Sequence, residues 1–357
     1  MREKQVLPVA VVGLTAALVA VVALWTLDRA GTSDRVAVTS DGPAQAIEWK
    51  LVTTWPKGLP GLGAAPENFA RRVNEASGGR LRIKVFGAGE IVPAFEVFDA
   101  VSQGVAEAGH GASYYWKGKI PASVFYTAVP FGMTAQEANG WLHYGGGLQL
   151  WRELYAPFGV VPFAGGSTGV QMAGWFNIRL NNREDLNGLK MRIPGLAGEV
   201  FDAAGGSAVR IAGGEVYTSM QTGVIDAVEW VGPYNDRTLG LMEVGDYYYY
   251  PGWHEPGAML EIIVNADALA ALPADLQAIV RVAARATNTD MLDDFTAHNS
   301  ESLQILLTDF DTEVLPLPDD IMDVLYESSQ VAIQSLVESD PMARKIAASY
   351  FDFAERV

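Results

Sequence analysis

Residues Gly213–Asn235 read GGEVYTSMQTGVIDAVEWVGPYN. Glu215 to Gln221 is predicted as a short amphipathic helix ending at Gly223. Val224, Ile225, Ala227 and Val228 follow as an apolar strand that delivers Glu229 and Trp230 to its far end. In an open α/β sheet, ligands bind outside the carboxyl ends of strands, which gives a charged residue after an apolar run a task.

The rest of the chain supports this placement. At 357 residues with 49% hydrophobic content it can bury ample core, and its length accommodates two domains beyond a targeting segment. It carries 42 acidic against 25 basic residues, which excludes the basic footprint that nucleic acid requires. There is no cysteine, hence no disulfide, thiolate metal site or cysteine nucleophile. His110, His143, His254 and His298 are scattered singly, without the spacing of a zinc helix. Cations held by oxygen ligands remain open.

Arg2 and Lys4 precede an apolar run from Val6 to Leu27, the pattern of a secretory leader or of an amino-terminal membrane anchor in residues 1–27. The positive residues would stay cytoplasmic and the body would be exported in either case. Thr26-Leu27-Asp28-Arg29 makes a poor cleavage site, which raises the anchor reading without overtaking the cleaved leader. Residues 28–46 are small and polar and read as a linker; the folded body is expected over 47–357.

In the body, strands are predicted at Ile47 to Thr54 and Arg80 to Phe86 and near Gly109, with helices from Pro66 to Ala76 and from Ala94 to Gln103 between them. Helices from Thr134 to Tyr144 and Leu148 to Ala156 and strands at Gly159 to Ala164 and Gln171 to Asn177 follow. A second β-α-β-α-β set then runs through Lys190 to Ile193, Leu196 to Ala204 and Ala208 to Ile211 into the stretch quoted above. Ala258 to Val264 reads as a strand. A long helical region starts at Pro273, and helices from Pro318 to Leu336 and Pro341 to Arg356 close the chain. The expected fold class is α/β, two lobes with long carboxyl-terminal helices, the second lobe centred on 170–260 and the binding cleft between them.

Gly188-Leu-Lys-Met-Arg-Ile-Pro194, the helix GGEVYTSMQTG, the strand IDAVEW, the opening WKLVTTWP and the late NADALAALPADLQ together resemble the periplasmic solute-binding subunits of TRAP transporters. Glu229-Trp230 and His254-Glu255-Pro-Gly257 are similar to the subgroup that takes up 2-oxo acids or lactate with a cation. The resemblance implies a periplasmic, non-enzymatic protein that closes on a small organic anion and hands it to small and large membrane subunits.

By that resemblance the arginine of the K-x-R-x-P strand, here Arg192, pairs with the ligand carboxylate. Its chemistry agrees, because a guanidinium offers a planar two-donor fork to a carboxylate. A surface ion pair is the plain alternative for such a residue. Glu229 beside an anionic ligand would repel it unless a cation lay between them. Joined to the resemblance, this assigns the Gln171 amide oxygen, the Glu229 carboxylate, the Trp230 main-chain carbonyl and Glu255 to a sodium or calcium ion. Substrate contacts are expected from Arg192, Gln171, Trp230, Tyr115 and Tyr217, the tyrosines giving apolar walls with hydroxyl tips.

Two other classes compete. Gly165-Gly-Ser-Thr-Gly169 matches the G-x-S-x-G nucleophile elbow, which would make Ser167 a hydrolase serine, but the motif requires a helix after it and VQMAGWFNI reads as β. An anchored sensory or scaffold domain could use the same cleft. The carboxyl-terminal helices could pair two chains as a homodimer, as in the 2-oxo acid subgroup, or pack on their own domain.

Overall fold

The computed structural model describes residues 46–357. The apolar run, and with it both the leader and the anchor readings, lies outside the described residues, as does the linker up to residue 45. Among the described residues no helix is long and apolar enough to cross a membrane.

The strands in chain order are β1 (Ile47–Thr53), β2 (Leu81–Phe86), β3 (Ala108–Gly111), β4 (Val160–Gly169), β5 (Gly174–Phe176), β6 (Lys190–Arg192), β7 (Ser207–Val209), β8 (Ala227–Val228), β9 (Tyr247–Tyr250), β10 (Ala258–Asn265) and β11 (Glu313–Pro316). They form two sheets, β2-β1-β3-β10-β4 and β11-β9-β5-β8-β6-β7, one per lobe. Parallel pairing sets Leu51 of β1 opposite Val85 on one side and Ala108 on the other. β10 runs antiparallel to both its neighbours, and seven of its eight residues are buried, as expected of a strand covered on both faces. The fold is therefore α/β and two-lobed, with mixed rather than purely parallel sheets.

The chain changes lobe at residues 170–173, again at 251–257, and a third time through the 36-residue helix Ala274–Asp309. Leu276, Val280, Ala284, Met291 and Phe295 bury one stripe of this helix. Its body packs on β4 and on helix Ala64–Ala76 of the first lobe and on helix Pro233–Thr238 of the second, where His298 stacks on Tyr234 with ring centroids 4.8 Å apart. The final helix, Pro341–Ala354, lies on the first lobe of its own chain. There the Tyr350 hydroxyl accepts from the Met133 amide at 2.8 Å, and Trp141 Nε1 donates to Ser349 at 3.0 Å.

Several elements differ from their sequence reading. The strand expected over 224–228 shrinks to Ala227–Val228: Val224 is 59% exposed just past the helix end at Gly223, and only Ile225 turns inward. The helix expected from Ala94 opens as a 3-10 turn, Ala94–Glu96, before Val97–Ser102. Tyr247–Tyr250, without an account from sequence beyond β propensity, is an interior strand between β5 and β11. The elbow at 165–169 is wholly inside β4. Ser167 has no exposed surface, donates to the Ala258 carbonyl at 2.9 Å and accepts from the Gly169 amide at 3.2 Å, so no nucleophile is displayed on a turn.

Candidate functional site

Arg192 is the last residue of β6, set between Val209 of β7 and Val228 of β8, and Pro194 ends the run. It is 1% exposed. Its Nη1 donates to the Glu229 main-chain oxygen at 2.7 Å and to the Glu229 carboxylate. Nε donates to the Ile211 carbonyl at 3.3 Å, and the guanidinium lies 4.9 Å from the Trp230 ring centroid. Across the cleft, Nη2 donates to the Tyr115 hydroxyl at 3.2 Å. Burial is the largest single influence on Arg192 and opposes its charge, but Glu229, Tyr115, Tyr114 and Glu255 together outweigh it and raise the pKa above the ordinary arginine value.

Glu229 and Trp230 directly follow β8, as strand-end logic requires. Gly174 opens β5 beside them: with φ +124°, a Cβ there would lie 2.4 Å from the Val228 carbonyl oxygen, so only glycine lets β5 approach.

The remaining polar groups come from the first two crossings, residues 170–173 and 251–257. Gln171 in the first and Glu255 in the second run side by side, with the Gln171 amide donating to the Glu255 carbonyl at 3.3 Å. Gln171 Nε2 donates to Glu255 Oε2 at 2.7 Å and to Thr168 Oγ1 at 3.0 Å. This fixes the Gln171 side chain with Oε1 facing away, and that oxygen has no partner among the described residues. Glu229 Oε2 also lacks one: His254 Nε2 lies 3.3 Å off without the alignment of a hydrogen bond, and both ring nitrogens of His254 are unpaired. Glu229, His254 and Glu255 each bring a ligand atom within 4.8 Å of the others. Burial, reinforced by Glu229, pushes the Glu255 carboxyl well above the usual carboxylate range.

Buried acceptors without donors are costly, on the order of 1–3 kcal/mol each. Crowded carboxylates with an orphaned amide oxygen are the donor set of a hard cation, and a cation placed among them would relieve those orphans. The residues present therefore fit sodium or calcium.

Arg192, Tyr115, Trp230, Gln171 and Glu255 line one small cavity together with Trp55. Burial raises Tyr115 to about 12, so it stays a phenol that can accept from Arg192 and still donate. Trp55 follows β1, and its Nε1 donates to His110 Nδ1 at 2.8 Å while His110 Nε2 reaches the Gly165 carbonyl at 3.2 Å. Burial lowers His110 to about 4, which keeps the ring neutral in that role.

Six of the seven site residues expected from sequence thus converge: Arg192, Gln171, Glu229, Trp230, Glu255 and Tyr115. Tyr217 does not. Helix Val216–Gln221 turns Val216 and Met220 inward, which swings Tyr217 aside over Gly240, with its hydroxyl donating to Glu243 at 3.0 Å. Sequence reasoning also assigns no role to Trp55, whose signal is its position at a strand's carboxyl end, or to His254, which it reads as a solitary histidine and as part of the loop His254–Gly257.

The family model for bacterial extracellular solute-binding proteins, family 7, matches residues 51–340. The chain belongs to that family. This solute-binding protein is 42% identical over 311 residues to the monocarboxylate 2-oxoacid-binding periplasmic protein of Nostoc sp., covering 87% of this chain and 85% of the relative. It also superposes on a TRAP transporter solute-binding protein from Bordetella bronchiseptica at TM-score 0.85 and 37% identity, over 87% and 92% of the two chains. That crystal is described as a mixed-occupancy dimer with calcium and picolinate in one active site and the other apo. A TRAP periplasmic solute-binding protein from Pseudoalteromonas atlantica, with bound sodium and pyruvate, matches at TM-score 0.85 and 40% identity, over 87% and 95%. Members of this family are periplasmic, bind small organic anions and work with membrane subunits.

Proposed function

We propose that this protein captures a small monocarboxylate of the 2-oxo or 2-hydroxy type, such as pyruvate or lactate, together with sodium or calcium, and delivers it in the periplasm to the small and large membrane subunits of a TRAP transporter. The observation that carries the reading is the pairing, in one buried cleft, of an arginine fork at Arg192 with the orphaned oxygens Gln171 Oε1 and Glu229 Oε2. The relatives that bind pyruvate or picolinate with a cation support it.

In this reading Arg192 presents its donors to the ligand carboxylate and Tyr115 adds a hydroxyl. Trp55 and Trp230 wall the cleft and limit the acid to a few carbons. Gln171, Glu229, the Trp230 main-chain carbonyl and Glu255 would hold the cation, which neutralises charge next to the anion. His254 stands beside them. No bond is made or broken: capture is a shift of the two-lobed protein toward the closed state that the ligand prefers. The homodimer belongs to the same proposal, supported by exposed Tyr326 and Val331 on helix Asp319–Ser339, and sedimentation at two protein concentrations tests it.

Titration calorimetry with pyruvate, first in chelator-treated sodium-free buffer and then with calcium or sodium added, tests the capture reading. It expects heat that strengthens with one of the cations. The absence of any heat from pyruvate, lactate or other short 2-oxo acids under every cation overturns it.

A further inference from the structure

We infer that Arg210 is a positioning residue that latches the closed cleft and sets how long a ligand stays, without touching the ligand. This rests on the capture reading above.

Arg210 directly follows β7, whose Val209 sits opposite Arg192, so two neighbouring strands of the second lobe each send an arginine toward the first lobe. The two hold the same residue from opposite ends. Arg192 Nη2 donates to the Tyr115 hydroxyl at 3.2 Å, and Arg210 Nη1 donates to the Tyr115 main-chain oxygen at 3.1 Å. The Arg210 guanidinium also stacks on Phe95, its carbon 4.0 Å from the ring centroid, and Phe95 packs edge-on against Tyr115 at 4.9 Å. Arg210 makes no ion pair among the described residues, so no carboxylate of its own lobe competes for it.

Stacking on a ring while donating to a carbonyl is a geometry of the planar guanidinium that an ammonium does not reproduce. Phe95 and Tyr115 belong to the first lobe and Arg210 to the second, so both contacts exist only while the lobes are together. Their free energy counts wholly toward the closed state. A second bridge across the same rim, Lys117 to Glu199, is a simple ion pair whose Glu199 side chain is 52% exposed, and such pairs contribute little. The rim therefore contains a latch and a built-in control for it.

The experiment is stopped-flow tryptophan fluorescence on the full-length chain with pyruvate and calcium, reading association and release separately. Arg210→Ala is expected to speed release about tenfold while changing association less than about threefold. Arg210→Lys should recover only part of that, and Glu199→Gln should stay within about twofold of wild type. The unfolding midpoint of the ligand-free chain should move by no more than about 2 °C in Arg210→Ala, which a purely structural role would not allow. Adding Phe95→Leu to Arg210→Ala should accelerate release less than the product of the two single effects.

Release from Arg210→Ala within twofold of a wild type that does bind pyruvate overturns the latch and leaves the capture reading standing. A wild type that gives no response to pyruvate defeats the capture reading instead. The latch is then judged by small-angle scattering of the ligand-free chains, where Arg210→Ala must be more expanded than wild type and equal dimensions reject it.

Discussion

Asp236 and Glu229 are both carboxylates of the second lobe with no exposed surface, and their surroundings are opposite. Asp236 accepts from the Tyr248 hydroxyl at 2.8 Å, from Trp175 Nε1 at 3.2 Å and from the amides of Val231 and Gly232 at 3.2 and 3.0 Å. Every lone pair has a donor, and burial still raises its pKa to about 7. Glu229 has one arginine, while its second oxygen, the Gln171 oxygen and the ring of His254 lack partners. A satisfied buried network rigidifies a core, and an unsatisfied one carries a cost until something arrives to complete it. The first belongs to folding, and in the proposed reading the second awaits a ligand.

The sharpest way to break this contrast is to remove Arg192. Arg192→Ala should weaken pyruvate binding in calcium about a thousandfold, roughly 4 kcal/mol, as for truncation of a buried charge partner, and Arg192→Lys should recover little of it. Calorimetry reads this directly, and near-normal affinity in the alanine variant would remove the arginine fork from the site.

Asp236→Ala should do the reverse. It orphans four donors and is expected to lower unfolding stability in urea by about 3 kcal/mol while leaving pyruvate affinity within about threefold. If affinity fell as steeply as with Arg192→Ala, the division between the two clusters would be false. Glu229→Gln keeps the shape but removes the negative charge and one of the two oxygens, and should remove most of the calcium dependence of pyruvate binding, a loss of about tenfold or more.

A further effect is a slope with pH. Burial pushes Glu261 up to about 8, with Trp116 and Tyr155 donating to it, so between its ordinary 4.5 and about 8 the folded chain holds a proton that the unfolded chain has lost. Its contribution is fully present below about 4.5 and is lost as pH rises toward 8, at up to about 1.4 kcal/mol per pH unit. Glu261→Gln should flatten that slope in urea titrations, and an unchanged slope would assign it to another group.

The elements legible in the sequence were those with local signals. β1 and β2 alternate, Gly and Pro mark the helix ends, and Pro273 announces the long helix at the residue before Ala274. Local pattern also placed Arg192 at a strand end and Glu229 after an apolar run. The misses are non-local or a matter of phase. β11 pairs with β9 from a distant part of the chain, and a β-prone run of tyrosines does not name its partner. Tyr217 sits one residue from the buried face of its helix, about 100° away, which is enough to take it out of the cleft. His254 acquires neighbours only because the two crossings lie side by side, a relation that no spacing along the chain encodes.

The central claim, that the unfinished cluster is completed by an acid and a cation together, is tested most directly by thermal unfolding of the protein with pyruvate alone, calcium alone and both. At a hundredfold its dissociation constant a ligand bound only by the folded state adds about 2.7 kcal/mol. The account predicts that pyruvate with calcium stabilises by more than the sum of the two alone, and that Glu229→Gln erases the excess. Strictly additive shifts, or no shift with pyruvate under any cation, would contradict it.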